Sequence, residues 1–235
     1  MLHLLFPPRC PFCDRILFHS AFFPPEPVCR ECLGRQEYVR EPVCQKCGKP
    51  IEDEREEYCY DCSRKNFAYV QGRALWVYKD AVRDSLYRFK YHNRREYAGY
   101  YARELVRSYS GWIRRRGISA IVPIPLSRRR QRQRGFNQAE LVARRMGKEL
   151  GIPVYSRLLL RIRDTRAQKE LNDEERKNNL KRAFKTSVNK VQLDHILLID
   201  DIYTTGSTMN EAAKVLKQAG AGRIYCLSIS IGRGY

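Results

Sequence analysis

The cysteines constrain the fold of this chain more than any other feature. Eight of the nine lie within the first 62 residues and form four Cys-x-x-Cys pairs. Two thiolates three residues apart on a tight turn can bind one tetrahedral metal ion, and two such pairs complete its coordination. We therefore predict two structural Zn2+ ions in a zinc-ribbon module of residues 1–66. The predicted ligands are Cys10, Cys13, Cys29, Cys32, Cys44, Cys47, Cys59 and Cys62.

The spacing alone leaves the pairing of these four motifs open. The expected arrangement is sequential, with the first two motifs on one ion and the last two on the other, and a cross-brace is the alternative. A disulfide framework is disfavoured, because the N-terminus lacks the basic segment of a secretory signal and a cytoplasmic location is expected. Iron–sulfur ligation is a further alternative. A closed shell of four thiolates leaves no position for water, so the metal is expected to support folding rather than catalysis.

Charge divides the chain at the same place. The 235 residues carry a formal net charge of +19. Residues 1–62 contain 8 basic and 11 acidic side chains, whereas residues 63–235 contain 37 and 15. A polyanionic partner is therefore expected to bind the second part of the chain, and a protein partner the first. No apolar stretch approaches the ~20 residues of a membrane-spanning helix, so no membrane span is expected.

Residues 67–235 show the alternating strand and helix patterns of an α/β domain. The apolar run that begins at His195 is typical of a parallel strand covered on both faces, and ligands of such sheets bind at the carboxyl ends of the strands. The predicted strands are residues 72–78, 120–125, 195–200 and 223–231. The predicted helices are a segment capped by Asp80 and residues 96–116, 137–150, 173–184 and about 207–220.

The segment that follows this run predicts a ribose phosphate site. Asp200 and Asp201 are expected to leave the strand with carboxylates that accept two vicinal hydroxyls or hold a divalent cation. The hydroxyls, glycine and backbone N–H groups that come next, at a helix start, can cradle a phosphate. The alternative is that the acids cap the helix and the hydroxyls fill a turn. The predicted cradle is Thr204, Thr205, Gly206, Ser207 and Thr208.

The string from Ile196 to Thr208 resembles the phosphoribosyl-diphosphate signature of type I phosphoribosyltransferases. Nearly the whole chain resembles the ComF/ComFC competence protein family. This second resemblance is carried by the cysteine module, the Phe-Lys-Tyr segment at 89–91, the string VPIPLSRRRQRQRGFNQAELVAR at 122–144, and a run of positions further on. Those positions are Thr165, Gln168, Leu171, Arg176, Asn179, Ala183 and Phe184.

The resemblance implies a type I phosphoribosyltransferase-like parallel sheet and a site for phosphoribosyl diphosphate. Asp200 and Asp201 would be the catalytic residues, Mg2+ is a possible companion of the diphosphate, and residues from 163 to about 180 would form a loop over the site. The implied ligand contacts are the two aspartates, the cradle, and Ser127, Arg128, Arg129, Lys90 and Gln168. For Lys90, a plain surface position is the alternative.

Basic residues form two further groups. Five arginines within residues 128–134 would repel one another in a loop without a bound anion, so anion binding is predicted, with a solvated loop as the alternative. Tyrosines interleaved with arginines over residues 87–116 can stack bases, although several must belong to the core. The predicted nucleic-acid contacts are Arg114, Arg115, Arg116, Arg130, Arg132 and Arg134.

Two functions fit these features. As the resemblance implies, the first is a competence-type DNA uptake and processing factor for natural transformation. It would bind single-stranded DNA and phosphoribosyl diphosphate and work with a competence helicase and recombination factors, the helicase being docked by the zinc module. The second is an active phosphoribosyltransferase whose acceptor is unidentified. None of the four histidines has partner spacing, so no catalytic histidine is assigned.

Overall fold

The computed structural model describes residues 7–17, 27–163 and 183–233. A four-stranded parallel sheet has the order β1-β6-β5-β2, and a small antiparallel pair, β3-β4, lies beside it. The predicted α/β class is confirmed: helices flank a parallel sheet that a Cys-rich module precedes. The strands are β1 (Gln71–Val77), β2 (Ala120–Pro123), β3 (Leu159–Arg161), β4 (Phe184–Thr186), β5 (His195–Tyr203) and β6 (Arg223–Ile231). The helices are α1 (Tyr60–Arg64), α2 (Asp80–Tyr91), α3 (Tyr97–Arg115), α4 (Arg128–Arg134), α5 (Gln138–Leu150) and α6 (Ser207–Gln218), with a 3-10 turn at Arg30–Cys32.

The apolar run of β5 is buried on both faces of the sheet. Leu197 and Ile199 belong to a core with α2, α3 and α5, whereas Ile196 and Leu198 belong to a core with α6 and β4. Because successive side chains of a strand project to opposite faces, a strand covered on both sides has no polar alternation in its sequence. This explains the continuous run that predicted the strand.

Three predicted elements differ in the structure. Asp80 is the first residue of α2 rather than its N-cap, which is Lys79. The strand predicted to end at Asp200 continues to Tyr203, so the two aspartates lie within β5. Of the helix predicted for 173–184, residues 173–182 lie outside the described residues, and Phe184 belongs to strand β4 instead.

The predicted arginine loop is a short helix, α4. The buried side chain of Ser127 caps it by accepting a hydrogen bond from the backbone N–H of Arg130, and Gly135 ends it in a left-handed conformation with φ of 74°. A hydroxyl before a helix and a glycine after it are strong boundary signals. They outweigh the repulsion among the arginines.

The cysteine module packs directly onto the α/β part. Phe12, between the first two cysteines, packs edge-on against Trp76 of β1 at 5.7 Å between ring centroids. The hydroxyl of Ser85 on α2 donates a hydrogen bond to the carbonyl of Pro11. The turn after Cys47 lies so close to β1 that a Cβ atom on Gly48 would be 2.8 Å from the carbonyl oxygen of Gly72. The module therefore shares its cores with the sheet and its helices.

Candidate functional site

The eight cysteines form two clusters of four, and the expected sequential pairing is confirmed. All sulfurs of a cluster lie within 4.8 Å of one another, and both the Cys13–Cys29 and the Cys47–Cys59 sulfur distances are 3.7 Å. Four sulfurs around Zn2+ at ~2.3 Å are separated by ~3.8 Å, whereas a disulfide needs ~2.0 Å. The donor set and geometry fit structural zinc, and the cross-brace alternative is wrong.

Asp200 and Asp201 lie where β5 extends beyond its neighbour β2. The register of β2 ends at Pro123 opposite Ile199, so from Asp200 onward β5 pairs only with β6. Ile202 packs on the core of Leu197 and Ile199, whereas Tyr203 packs on the core of Ile196 and Leu198, so the strict alternation of the strand is interrupted at the aspartates. Both acids lie at the carboxyl end of β5, beyond the end of β2.

Lys90 binds one of these acids directly. Its Nζ lies 2.9 Å from Oδ1 of Asp201, and each side chain is only 14% exposed. The backbone N–H of Asp201 donates to Oδ1 of Asp200 at 2.8 Å. A lysine near the end of α2 is thus brought to the carboxyl edge of the sheet.

The pKa of the Asp200 carboxyl is raised above its ordinary value. Burial raises its pKa to about 7, and the neighbouring carboxylate of Asp201 acts in the same direction. The charges of Lys90 and Arg161 oppose the rise. Acids with raised pKa values concentrate at functional sites, because binding and catalysis require charges that folding alone would not place there.

The segment after β5 contains the predicted phosphate cradle. Gly206 precedes α6 with φ of 76°, and no side chain of the described residues caps the first N–H groups of this helix. The hydroxyls of Thr205 and Ser207 are 2.9 Å apart. Uncapped N–H groups at a helix start, together with the positive end of its dipole, attract anions.

The second cysteine cluster lies beneath this cradle. A Cβ atom on Gly206 would be 2.2 Å from the hydroxyl of Tyr203, whose side chain is buried. That hydroxyl is hydrogen-bonded to the hydroxyl of Tyr69 at 2.7 Å, and both tyrosines share a core with Cys47 and Cys59. Through these two tyrosines, the zinc-ribbon module packs against the buried side of the predicted cradle.

The arginines of α4 begin five residues after β2 and are therefore at the same edge of the sheet. Arg128, Arg129 and Arg132 are exposed, and no carboxylate in the described part of the chain forms an ion pair with them or with Arg130. Arg134 differs, because it donates to Oε1 of Gln138 at 3.0 Å and to the hydroxyl of Tyr91 at 3.2 Å.

Arg114, Arg115 and Arg116 lie at the opposite edge. Arg116 donates to Oε1 of Gln71, the first residue of β1, at 3.0 Å. Ser119, just beyond these arginines, donates its backbone N–H to the carbonyl of His195, the first residue of β5, at 3.1 Å. A nine-residue strand is about 26 Å long. The structure does not bring the two predicted groups of nucleic-acid contacts together.

Two residues that act on the aspartates in the structure were not identified from the sequence. Tyr78 immediately follows β1, and its pKa is raised by burial and by the charge of Asp201. Its position after a strand end could have identified it. Arg161 acts on Asp200 from β3, a three-residue strand without a sequence signal. Gln168 and most of the loop predicted for residues 163–180 lie outside the described residues.

The chain is similar to one family model and to several curated proteins. Residues 1–63 match the family model of the double zinc ribbon domain. Over 107 residues the chain is 39% identical to competence protein F of Haemophilus influenzae, covering 45% of this chain and 47% of the relative. It is 36% identical to the DNA utilization protein YhgH of Salmonella typhi over 147 residues, covering 60% and 64%. It is 31% identical to competence protein ComFC of Bacillus subtilis over 150 residues, covering 64% and 59%. These matches span about half to two thirds of the relatives, and the predicted resemblance is confirmed.

A solved structure of adenine phosphoribosyltransferase from Leishmania tarentolae is also similar, with 16% identity and a TM-score of 0.30 over 54% of this chain and 71% of that one. A similarity of this size supports no inference about function. Among the described residues, no helix is both long and apolar enough to cross a membrane.

Proposed function

We propose that this protein is a competence-type DNA uptake and processing factor that binds single-stranded DNA and phosphoribosyl diphosphate. One observation carries the proposal. Two acids, an uncapped helix start and arginines without a described carboxylate partner converge on the carboxyl edge of one parallel sheet. Such an edge accepts a ligand that combines hydroxyls with several phosphates.

Each part of phosphoribosyl diphosphate has a matching group at this edge. Asp200 and Asp201 would accept hydrogen bonds from the ribose hydroxyls, and the cradle Thr204–Thr208 would hold the 5-phosphate. Ser127, Arg128 and Arg129 would bind the diphosphate, because guanidinium groups form strong charge-assisted hydrogen bonds with phosphate oxygens. Gln168 remains a predicted contact.

A magnesium ion would arrive with the diphosphate. Within the described residues, the two cysteine clusters are the only groups of three or more possible metal ligands. Asp200 and Asp201 would therefore share Mg2+ with phosphate oxygens, which is a common way for this ion to bind. The ion would neutralise charge on the diphosphate.

The DNA part of the proposal draws on the basic residues and on the names of the relatives. The relatives are competence and DNA utilization proteins, which supports a role in DNA uptake. Residues 63–235 carry the excess of basic side chains, whereas residues 1–62 are slightly acidic. The strand would therefore bind the α/β part. The zinc module would contact proteins, such as a competence helicase or a recombination factor.

Salt and substitution test this proposal. The affinity for a single-stranded oligonucleotide should fall steeply with salt concentration, because phosphate contacts release counterions. The variant D200A should lose phosphoribosyl diphosphate binding in a calorimetric titration but retain DNA affinity. Equal binding of phosphoribosyl diphosphate by D200A and wild type would contradict the proposed ligand site.

An active phosphoribosyltransferase is the second candidate. It is favoured by the raised pKa of Asp200 beside the buried Lys90–Asp201 pair, since such perturbed groups accompany catalysis. In this reaction the bond from ribose C1 to diphosphate breaks, a bond from C1 to the acceptor forms, and the acceptor loses a proton. Diphosphate release in the presence of acceptor mixtures should then require Asp200 and Asp201. Equal release by wild type and D200A/D201A would reject this candidate.

A further inference from the structure

Two exposed tyrosines form a ledge beside the carboxyl edge. Tyr87 and Tyr91 are one turn apart on α2, with ring centroids 5.0 Å apart, and they are 56% and 49% exposed. The ring of His92 packs edge-on against Tyr87 at 5.5 Å. The structure thereby divides the aromatic series of residues 87–116, because Tyr97, Tyr100, Tyr101 and Trp112 are buried and Tyr109 is partly buried.

The ledge is joined to the proposed ligand site on two sides. Lys90, the residue before Tyr91, binds Asp201. On the other side, the guanidinium of Arg134 lies 5.0 Å from the centre of the Tyr91 ring and donates to its hydroxyl. Arg134 also connects the ledge to α4, where Arg128, Arg129 and Arg132 are exposed and have no described carboxylate partner.

The surroundings determine which partner fits. Single exposed aromatic residues are common on protein surfaces, but a contiguous pair flanked by cations is a recognised base-stacking surface. The charged residues around the ledge are mostly basic, and the one acid on the same part of α2, Asp84, is paired with Arg83 at 3.3 Å. Single-stranded nucleic acid fits this surface, because its unstacked bases can pack on the tyrosine rings and its phosphates can pair with the basic residues. A duplex does not, because its bases are already stacked and paired.

We propose that Tyr87, Tyr91 and Arg134 form a nucleobase-stacking subsite for single-stranded DNA. Bases stack on the two rings while the backbone follows the arginines of α4 toward the phosphate cradle. The inference rests on the proposed function and adds the residues that hold the bases. Such a subsite would favour single strands over duplexes, whose bases are already stacked, and over free polyphosphates, which have no bases.

The experiment compares two oligonucleotides of equal length and charge, one of thymidines and one of abasic tetrahydrofuran units. Fluorescence anisotropy at a fixed salt concentration gives the affinity of each for the full-length protein. The variants are Y87L/Y91L, which removes both rings, and Y87F/Y91F, which keeps them. Tyr155, which is 40% exposed and lies beside β2 rather than on α2, supplies the control variant Y155L.

Wild type should bind the thymidine strand at least about 10-fold more tightly than the abasic strand, since one stacked base is worth a change of this order. Y87L/Y91L should lose this preference without weaker binding of the abasic strand, whereas Y87F/Y91F and Y155L should retain it. Equal binding of both oligonucleotides by wild type would overturn the stacking subsite while leaving the proposed DNA binding in place. No binding of either would overturn the proposed function itself.

Discussion

Lys90 and Asp201 form an ion pair that joins α2 to β5, with Nζ 2.9 Å from Oδ1 and both side chains largely buried. The same helix contacts the segment of the first cysteine cluster, because the hydroxyl of Ser85 donates a hydrogen bond to the carbonyl of Pro11. The pair therefore connects the cysteine module, the proposed stacking ledge and the acids of the proposed ligand site. Its removal should affect both stability and binding.

The first prediction concerns this pair. The variant K90M leaves a buried carboxylate without its partner and should lower the free energy of unfolding by about 2–3 kcal/mol. K79M is the matched control, because Lys79 pairs with Glu37 at the surface and such pairs contribute at most about 1 kcal/mol. Urea unfolding measures both variants, and equal losses would contradict a structural role for the buried pair. The double variant K90M/D201N should be more stable than K90M.

The second prediction concerns Gly206. The variant G206A places a methyl group against the hydroxyl of Tyr203 and requires an alanine to adopt a left-handed backbone conformation. The backbone of the cradle must therefore move, and the affinity for phosphoribosyl diphosphate should fall at least about 10-fold. Gly151 is the control, because it has φ of 70° and nothing within 4 Å of an added Cβ. G151A should cost about 1 kcal/mol of stability and leave ligand affinity unchanged. Calorimetric titration that finds equal affinities for the two variants would contradict the cradle.

The third prediction concerns pH. The folded state raises the pKa of Asp200 from 3.8 to about 7, so between these values it binds more protons at this group than the unfolded state does. The stability contributed by this group is therefore present below pH 4 and is lost as the pH rises through about 7. The variant D200N should be about 1–3 kcal/mol more stable than wild type at pH 8, since one pKa unit corresponds to about 1.4 kcal/mol.

Urea unfolding of both proteins at several values between pH 5 and 8 checks this. The difference between D200N and wild type should shrink as the pH falls, because the carboxyl of wild type then becomes neutral. A difference that does not change with pH would mean that Asp200 does not titrate in this range. Lys90 and Arg161 oppose the shift and are present in both proteins.

The features predicted best from the sequence are those with short-range causes. The cysteine spacing predicted both clusters, and the apolar run predicted β5. Gly151 marked the end of α5, whose N-cap Asn137 accepts a hydrogen bond from the backbone N–H of Ala139. In each case a few neighbouring residues determine the local geometry.

The remainder depended on contacts between distant segments. Nothing near Lys90 in the sequence indicates that it reaches Asp201, and the composition of residues 87–116 does not distinguish Tyr91 from the buried Tyr101. The two groups of arginines look alike in the sequence, yet they lie at opposite edges of the sheet. These differences follow from chain topology, which local patterns do not specify.

The fourth prediction concerns metal. Elemental analysis should find two zinc ions per chain, and C47S should retain one, because the two clusters share no ligand. Since Cys47 shares a core with Tyr203 beneath the cradle, this variant should also weaken phosphoribosyl diphosphate binding. One zinc in wild type would contradict the prediction of two ions, and unchanged ligand affinity in C47S would contradict the supporting role of the second cluster.

The central claim is that the carboxyl edge of the sheet binds the phosphorylated ligand, and two variants of equal charge test it most directly. R128Q/R129Q/R132Q removes three charges at this edge, and R114Q/R115Q/R116Q removes three at the opposite edge. In a calorimetric titration with phosphoribosyl diphosphate, the first variant should lose at least about 10-fold in affinity because charge-assisted contacts to phosphate are removed. The second should bind like wild type. Equal losses in the two variants, or a larger loss in the second, would contradict the account.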